Sequence, residues 1–134
     1  KTPENLRAYF NKQCIHDKTP GVYTSEGLLI RMEETGISRT IVSALALSPH
    51  MCNDDLHRFN MYVHKELKAS PTKLVGFCTV DPLAQEESVH LLKLCIEELG
   101  FRGLKLHPCI QRFNPDDKRV YPLYETMQRY GQAI

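Results

Sequence analysis

No two of the five cysteines (Cys14, Cys52, Cys78, Cys95, Cys109) lie closer than 14 positions, and no C-x-x-C pair occurs. That excludes a zinc knuckle and gives no sign of a disulfide framework. Cys78 and Cys95 fall on apolar faces of their segments, where a reduced thiol behaves as a small hydrophobe, so a reducing, cytoplasmic setting is expected. No glycine-rich phosphate-cradling turn is present, neither G-x-G-x-x-G nor a P-loop. Long apolar runs are also missing: Ile41 to Leu47 is the longest, it is interrupted by Ser43, and it is far too short to span a bilayer. The opening KTPENLRAYF has no apolar core of a signal peptide. Charge of one sign is absent as well, since 17 basic and 16 acidic residues mix along the chain for a net charge of +1. Without a basic stripe, nucleic acid is not an expected partner, and no membrane partner is expected either.

The 134 residues, 42% hydrophobic and 25% charged, have the make-up of one globular domain or part of one. TSEGLLIRMEETG predicts a helix capped by Thr24 or Ser25 and ended by Gly36, with Leu28, Leu29 and Met32 on one face. SRTIVSALALS follows, β-branched and apolar on both faces, as a buried parallel strand reads. NDDLHRFNMYVHKELKAS predicts a second helix, capped by Asn53 or Asp54, with Leu56, Phe59, Val63 and Leu67 at helical spacing and Pro71 closing the segment. KLVGFCTVDP reads as a strand stopped at Asp81-Pro82, and EESVHLLKLCIEELG as the helix after it. FRGLKLHP reads as a third strand, QRFNPDD as a polar loop, and the next helix begins near Pro122, a residue tolerated in a first turn. GQAI reads as the entry to a fourth strand.

Strand starts near Thr40, Leu74, Gly103 and Gln132 are separated by 34, 29 and 29 residues, the spacing of β-α units joined by crossover helices. Such alternation gives an open doubly wound sheet or a closed (β/α)8 barrel. The strands end in polar side chains, Ser48 and His50, Thr79 and Asp81, Lys105 and His107, which is the pattern of a barrel rim. The expectation is therefore an α/β chain forming part of a TIM barrel: residues 1–134 as one incomplete domain, with 1–23 a loop or helical lead-in and 24–134 about three β-α units plus the start of a fourth strand. A flavodoxin-like open-sheet binding domain is the weakest alternative, for want of a phosphate-cradling loop.

Lys105 and His107 alternate with Leu104 and Leu106, so on one strand both would point to the same side, near the barrel mouth. Lysine there can meet an anionic substrate, and neutral imidazole can ligate a metal or hydrogen-bond substrate. On the structural alternative, His107 fixes the following loop through a backbone hydrogen bond and Lys105 pairs with an acid such as Asp81. Asp81 itself can be a rim carboxylate or a strand stop that caps the next turn. His50, His57 and His64 recur every seven residues, but His57 and His64 stand two turns apart, about 10 Å, too far to share one zinc. They are expected on a solvated helix face, as are His16 and His90. Cys109 reads as an incidental loop thiol.

GFRGLKLHP, then Gln111, Phe113, the NPDD loop and YPLYETMQRYGQAI, resembles the amidohydrolase-related family of TIM-barrel metal-dependent hydrolases and decarboxylases. TSEGLLIRMEETGISRTIVSALA and KLVGFCTVDPL resemble the preceding segments of that family, so the likeness runs from about Thr24 to Ile134. It implies a metal-dependent hydrolase, or alternatively a non-oxidative decarboxylase, acting on a small carboxylated substrate with a divalent ion, zinc by expectation. It implies Lys105 and His107 as catalytic candidates, Asp81 and Gln111 as substrate-binding candidates, and His107 as a metal ligand, the remaining ligands lying outside the chain. The family's H-x-H pair is absent. A non-catalytic piece that pairs its open edge with itself or a partner, hence a homo-oligomer, is the reading from a different class.

Overall fold

The computed structural model describes residues 24–134; the lead-in 1–23, with Cys14 and His16, lies outside the described residues. Helix α1 (Ser25–Thr35) starts where Thr24 Oγ1 accepts a hydrogen bond from Gly27 N at 3.1 Å. It stops at Gly36, whose φ of 71° is the left-handed conformation that glycine adopts without a Cβ clash. Strand β1 (Thr40–Ser43) leads to helix α2 (Asn53–Leu67), then β2 (Leu74–Cys78) and helix α3 (Gln85–Glu97). The chain continues through β3 (Gly103–Leu104), the single turn α4 (Pro108–Gln111) and helix α5 (Tyr121–Tyr130), with Pro122 in its first turn as expected.

The strands form a parallel sheet in the order β1-β2-β3, in the register Thr40↔Leu74 through Ser43↔Phe77 and then Phe77↔Gly103. A parallel bridge from Gly103 to Ala133, with Leu104 N donating to Ala133 O at 3.0 Å, sets the fourth strand position beside β3, where GQAI was expected to enter the sheet. Every connection is a β-α-β crossover, which is why the sheet is parallel.

One sheet face is closed by helices. Leu74, Gly76 and Cys78 alternate toward it, and the core behind them is Phe101, Leu92, Cys95, Leu104, Leu123 and Met127, all almost fully buried. Gly76 is required there: a methyl group in its place would overlap Leu67 and the Phe101 ring. A hydrogen bond to Cys95, with burial beside it, pushes the Cys78 thiol far above its ordinary pKa, so it stays protonated, the small hydrophobe read from the sequence.

Three local expectations change. Helix α2 begins at Cys52 with no side-chain cap, because Asn53 is turned inward and 4% exposed. Strand β1 is four residues long and half-buried on one side alone, with Ile41 59% exposed. The apolar sequence of β1 anticipates cover on two faces, and the described residues supply one. Strand β3 ends at Leu104, so Lys105 and His107 do not share a strand; Lys105 N still donates to Cys78 O at 2.7 Å.

Candidate functional site

The uncovered face of the sheet carries a hollow. Ser43, Phe77 and Gly103 form one row across the three strands, and the Phe77 ring lies over Gly103 so closely that a Cβ there would overlap it. Glycine is what leaves room for the ring beside the neighbouring strand. Ile41, Leu106, Phe113, Tyr124 and Ile134 extend the apolar wall, and Lys105 is its charged member. Lys105 is exposed and forms no ion pair with Asp81, so the expected pairing of the two is not made. The loop bordering the hollow is stapled: Tyr124 OH donates to Pro115 O at 2.9 Å, and Arg119 grips the Asp117 carboxylate at 2.6 Å. That hydrogen-bonded guanidinium holds the Asp117 carboxyl down to about 2.

The C-terminal tip of β2, where Cys78 is followed by Thr79, Val80 and Asp81, runs past its neighbouring strands. Four side chains from three helices take over the pairing. Asn60 Nδ2 donates to Thr79 O at 2.8 Å while its Oδ1 accepts from Thr79 N at 2.9 Å, so one buried carboxamide stands in for a neighbouring strand. Gln111 Nε2 donates to Val80 O at 2.8 Å. Asn53 Oδ1 accepts from Asp81 N at 2.9 Å, its Nδ2 donates to Ser88 Oγ at 2.9 Å, and Ser88 Oγ donates to Asp81 O. Asn53, Asn60, Ser88 and Gln111 are all buried, where an unmade backbone bond would be costly.

These bonds settle where several sequence candidates stand. Gln111, a substrate-binding candidate, uses both ends of its carboxamide on main chain, with Oε1 accepting from His107 N at 2.8 Å, and is 7% exposed; it acts as a brace. Asp81 caps its own turn, Oδ1 accepting from Leu83 N at 2.9 Å, which is the strand-stop alternative. His107 is the N-cap of α4, its Nδ1 accepting from Ile110 N at 3.4 Å, and it sits between Leu106 and Pro108, two residues of the hollow's rim, without lining the hollow itself. Lys105 thus lines the hollow while His107 caps the turn beside it. Cys109 is exposed within α4.

The histidines of α2 are not the solvated row expected of them. His64 Nδ1 lies 2.9 Å from Leu99 O and ties α2 to the end of the next crossover, while His57 Nδ1 is buried without a partner. Both are half-buried because α2 is flanked by α3 as well as by the sheet. His50 and His90 are exposed, as expected. Among the described residues no three of His, Cys, Asp and Glu gather to hold a metal ion, and no helix is long and apolar enough to cross a membrane. The described residues thus do not fit a metal on their own.

The aromatic members of the hollow, Phe77, Phe113 and Tyr124, were not among the site candidates read from the sequence. Phe77 has the parity of Ser43 and Gly103 in the sheet register, a signal that needs the strand pairing to be read.

Comparison with known proteins gives a consistent answer. The amidohydrolase family profile matches residues 21–134. A 2-amino-3-carboxymuconate-6-semialdehyde decarboxylase of Dictyostelium discoideum is 25% identical over 75 residues, 56% of this chain and 21% of that protein. Among solved structures, a manganese-bound 5-carboxyvanillate decarboxylase mutant from Novosphingobium aromaticivorans superposes with a TM-score of 0.68 at 19% identity, covering 98% of this chain and 46% of the other. A dihydroxybenzoic acid decarboxylase from Polaromonas, with manganese and the inhibitor 2-nitroresorcinol, gives 0.68 at 20% identity, covering 98% and 41%. At these identities the likeness shows the fold alone, that of a TIM barrel of which this chain forms part. The chain spans less than half the length of each of these relatives.

Proposed function

Because the chain belongs to the amidohydrolase family, we propose that its strand ends receive a small carboxylated substrate in a metal-dependent enzyme that removes carbon dioxide without oxidation. The observation that carries this reading is the hollow on the open sheet face, which Lys105 lines together with Phe77, Phe113 and Tyr124. A carboxylate would meet Lys105, and the planar remainder of the molecule would lie against the rings, which exclude water and strengthen that charge contact. Asp81, Asn60 and Gln111 hold the rim in place for this encounter and do not touch the substrate. The relatives described above are decarboxylases, and that favours decarboxylation. Hydrolysis, the reaction the family is named for, is the second reading.

The divalent ion of such an enzyme would take its ligands from outside the described residues, since those present do not form a site. Zinc is the ion expected from the sequence; two solved relatives hold manganese. The buried, reduced thiols of Cys78 and Cys95 support a cytoplasmic setting, and the open sheet face supports self-association as a further part of the proposal.

In an enzyme that carries this chain within a complete barrel, Lys105→Ala is expected to lower turnover of a carboxylated aromatic substrate by roughly tenfold to a hundredfold, the worth of one charge-assisted hydrogen bond. Carbon dioxide release measures it, with unfolding in urea as the control for folding. Wild-type turnover in the variant would remove Lys105 from the site. Absence of any decarboxylase or hydrolase activity in the complete protein would leave the chain as a non-catalytic piece.

A further inference from the structure

We infer that His107 presents a fixed Nε2–H donor to an oxyanion at the rim of the hollow and is not a metal ligand. The carboxylate class of that oxyanion rests on the function proposed above; the protonation state of the ring does not.

The geometry starts at the main chain. His107, at φ −132° and ψ 88°, is the N-cap of α4, and its Nδ1 accepts a hydrogen bond from Ile110 N at 3.4 Å. A backbone N–H can only donate, so Nδ1 holds its lone pair toward Ile110, and a neutral imidazole with that arrangement carries its proton on Nε2. A metal-bound histidine has the opposite arrangement: one nitrogen gives its lone pair to the ion and the other donates its proton to a carbonyl or carboxylate. In His107 the nitrogen that faces the protein accepts, which leaves Nε2 with a proton and no lone pair for a metal.

The main chain of the cap is held in place from several sides. His107 N donates to Gln111 Oε1 at 2.8 Å, Gln111 N donates to His107 O at 2.9 Å, and Gln111 Nε2 reaches Val80 O at 2.8 Å, so the cap is tied to the tip of β2. Gln111 is 7% exposed, and its carboxamide cannot turn without breaking a hydrogen bond at each end. No cluster of metal-ligating side chains surrounds His107 among the described residues. Leu106 and Pro108, on either side of it, both line the hollow, and Lys105 is two residues away. His107 does not itself line the hollow; its Nε2–H is proposed to serve a carboxylate at the rim whose other oxygen faces Lys105.

The test is long-range 1H–15N spectroscopy of the full chain labelled with 15N-histidine, at about pH 8.5, well above the ordinary histidine pKa of ~6.5. The His107 signals are assigned by their loss in His107→Asn, a substitution that keeps a cap acceptor for Ile110 N and so keeps α4. The expected spectrum has a pyrrole-like, protonated Nε2 and a pyridine-like Nδ1. A proton on Nδ1, an even mixture of tautomers, or selective loss of the Nε2 signal on adding Mn2+ would overturn the inference. Titration with 2,6-dihydroxybenzoate is then expected to shift the His107 Nε2 and Lys105 amide signals together. A shift of the Lys105 amide alone would overturn the donor role. No shift of either at saturating ligand would overturn the function proposed above while the tautomer stands.

Discussion

The two faces of the same three-stranded sheet have opposite character. On the helix-covered face the core behind β2 and β3 is closely packed, down to glycine at position 76 where no side chain fits. On the open face Ile41 and Ile134 remain more than half exposed, and a lysine and three aromatic residues line one hollow. Alternation along a strand assigns successive residues to the two faces, so one short run of sequence serves both: Gly76 and Cys78 belong to the core and Phe77 to the hollow. Stability and binding are thus separable by parity, and substitutions on the two sides should behave differently.

The largest effect is expected from the core. Phe101→Ala empties space behind β2 and should cost about 3–5 kcal/mol in urea unfolding. A cost below ~1 kcal/mol would mean that the helix face is not the stabilising one. Next comes Asn60→Ala, which strands the buried N–H and C=O of Thr79; about 2–3 kcal/mol is expected. Hydrogen exchange at the Thr79 amide should speed up well beyond that of Val75 on the same strand, and equal acceleration of the two would show that the carboxamide does not hold the tip locally. The smallest change belongs to the open face: Ile41→Thr, at a side chain 59% exposed, should stay within about 0.5 kcal/mol. A loss as large as that of Phe101→Ala would erase the contrast, and would point to something covering that face in solution.

The sequence was informative about elements and quiet about their tips. The helical spacing of Leu56 and Val63, the Thr24 and Gly36 caps, and the 29- to 34-residue strand spacing each reflect local chemistry, and the structure carries them. The braces of the rim were missed for a reason that is also physical. Asn60 lies on the apolar stripe of α2, four residues after Leu56 and three before Val63. A carboxamide in such a place signals a buried backbone partner, but which partner depends on a contact 19 residues away in β2. The His107 cap was legible as one of two alternatives, because a histidine followed by proline and a polar segment can close a turn locally. The separation of Lys105 from His107 was not legible, since it depends on where β3 leaves the sheet. The length of β3 follows from its pairing with β2, which no local pattern records. Phe77 was likewise hidden: its ring matters because Gly103, 26 residues later, leaves room for it.

The division between a stabilising face and a ligand-receiving face is tested most directly by amide chemical-shift mapping of the chain during titration with 2,6-dihydroxybenzoate. The predicted shifts cluster at Ser43, Phe77, Lys105 and Phe113, which line one hollow on the open face. Shifts confined to Leu28, Tyr62 and Val63, in the groove between α1 and α2, would contradict the account.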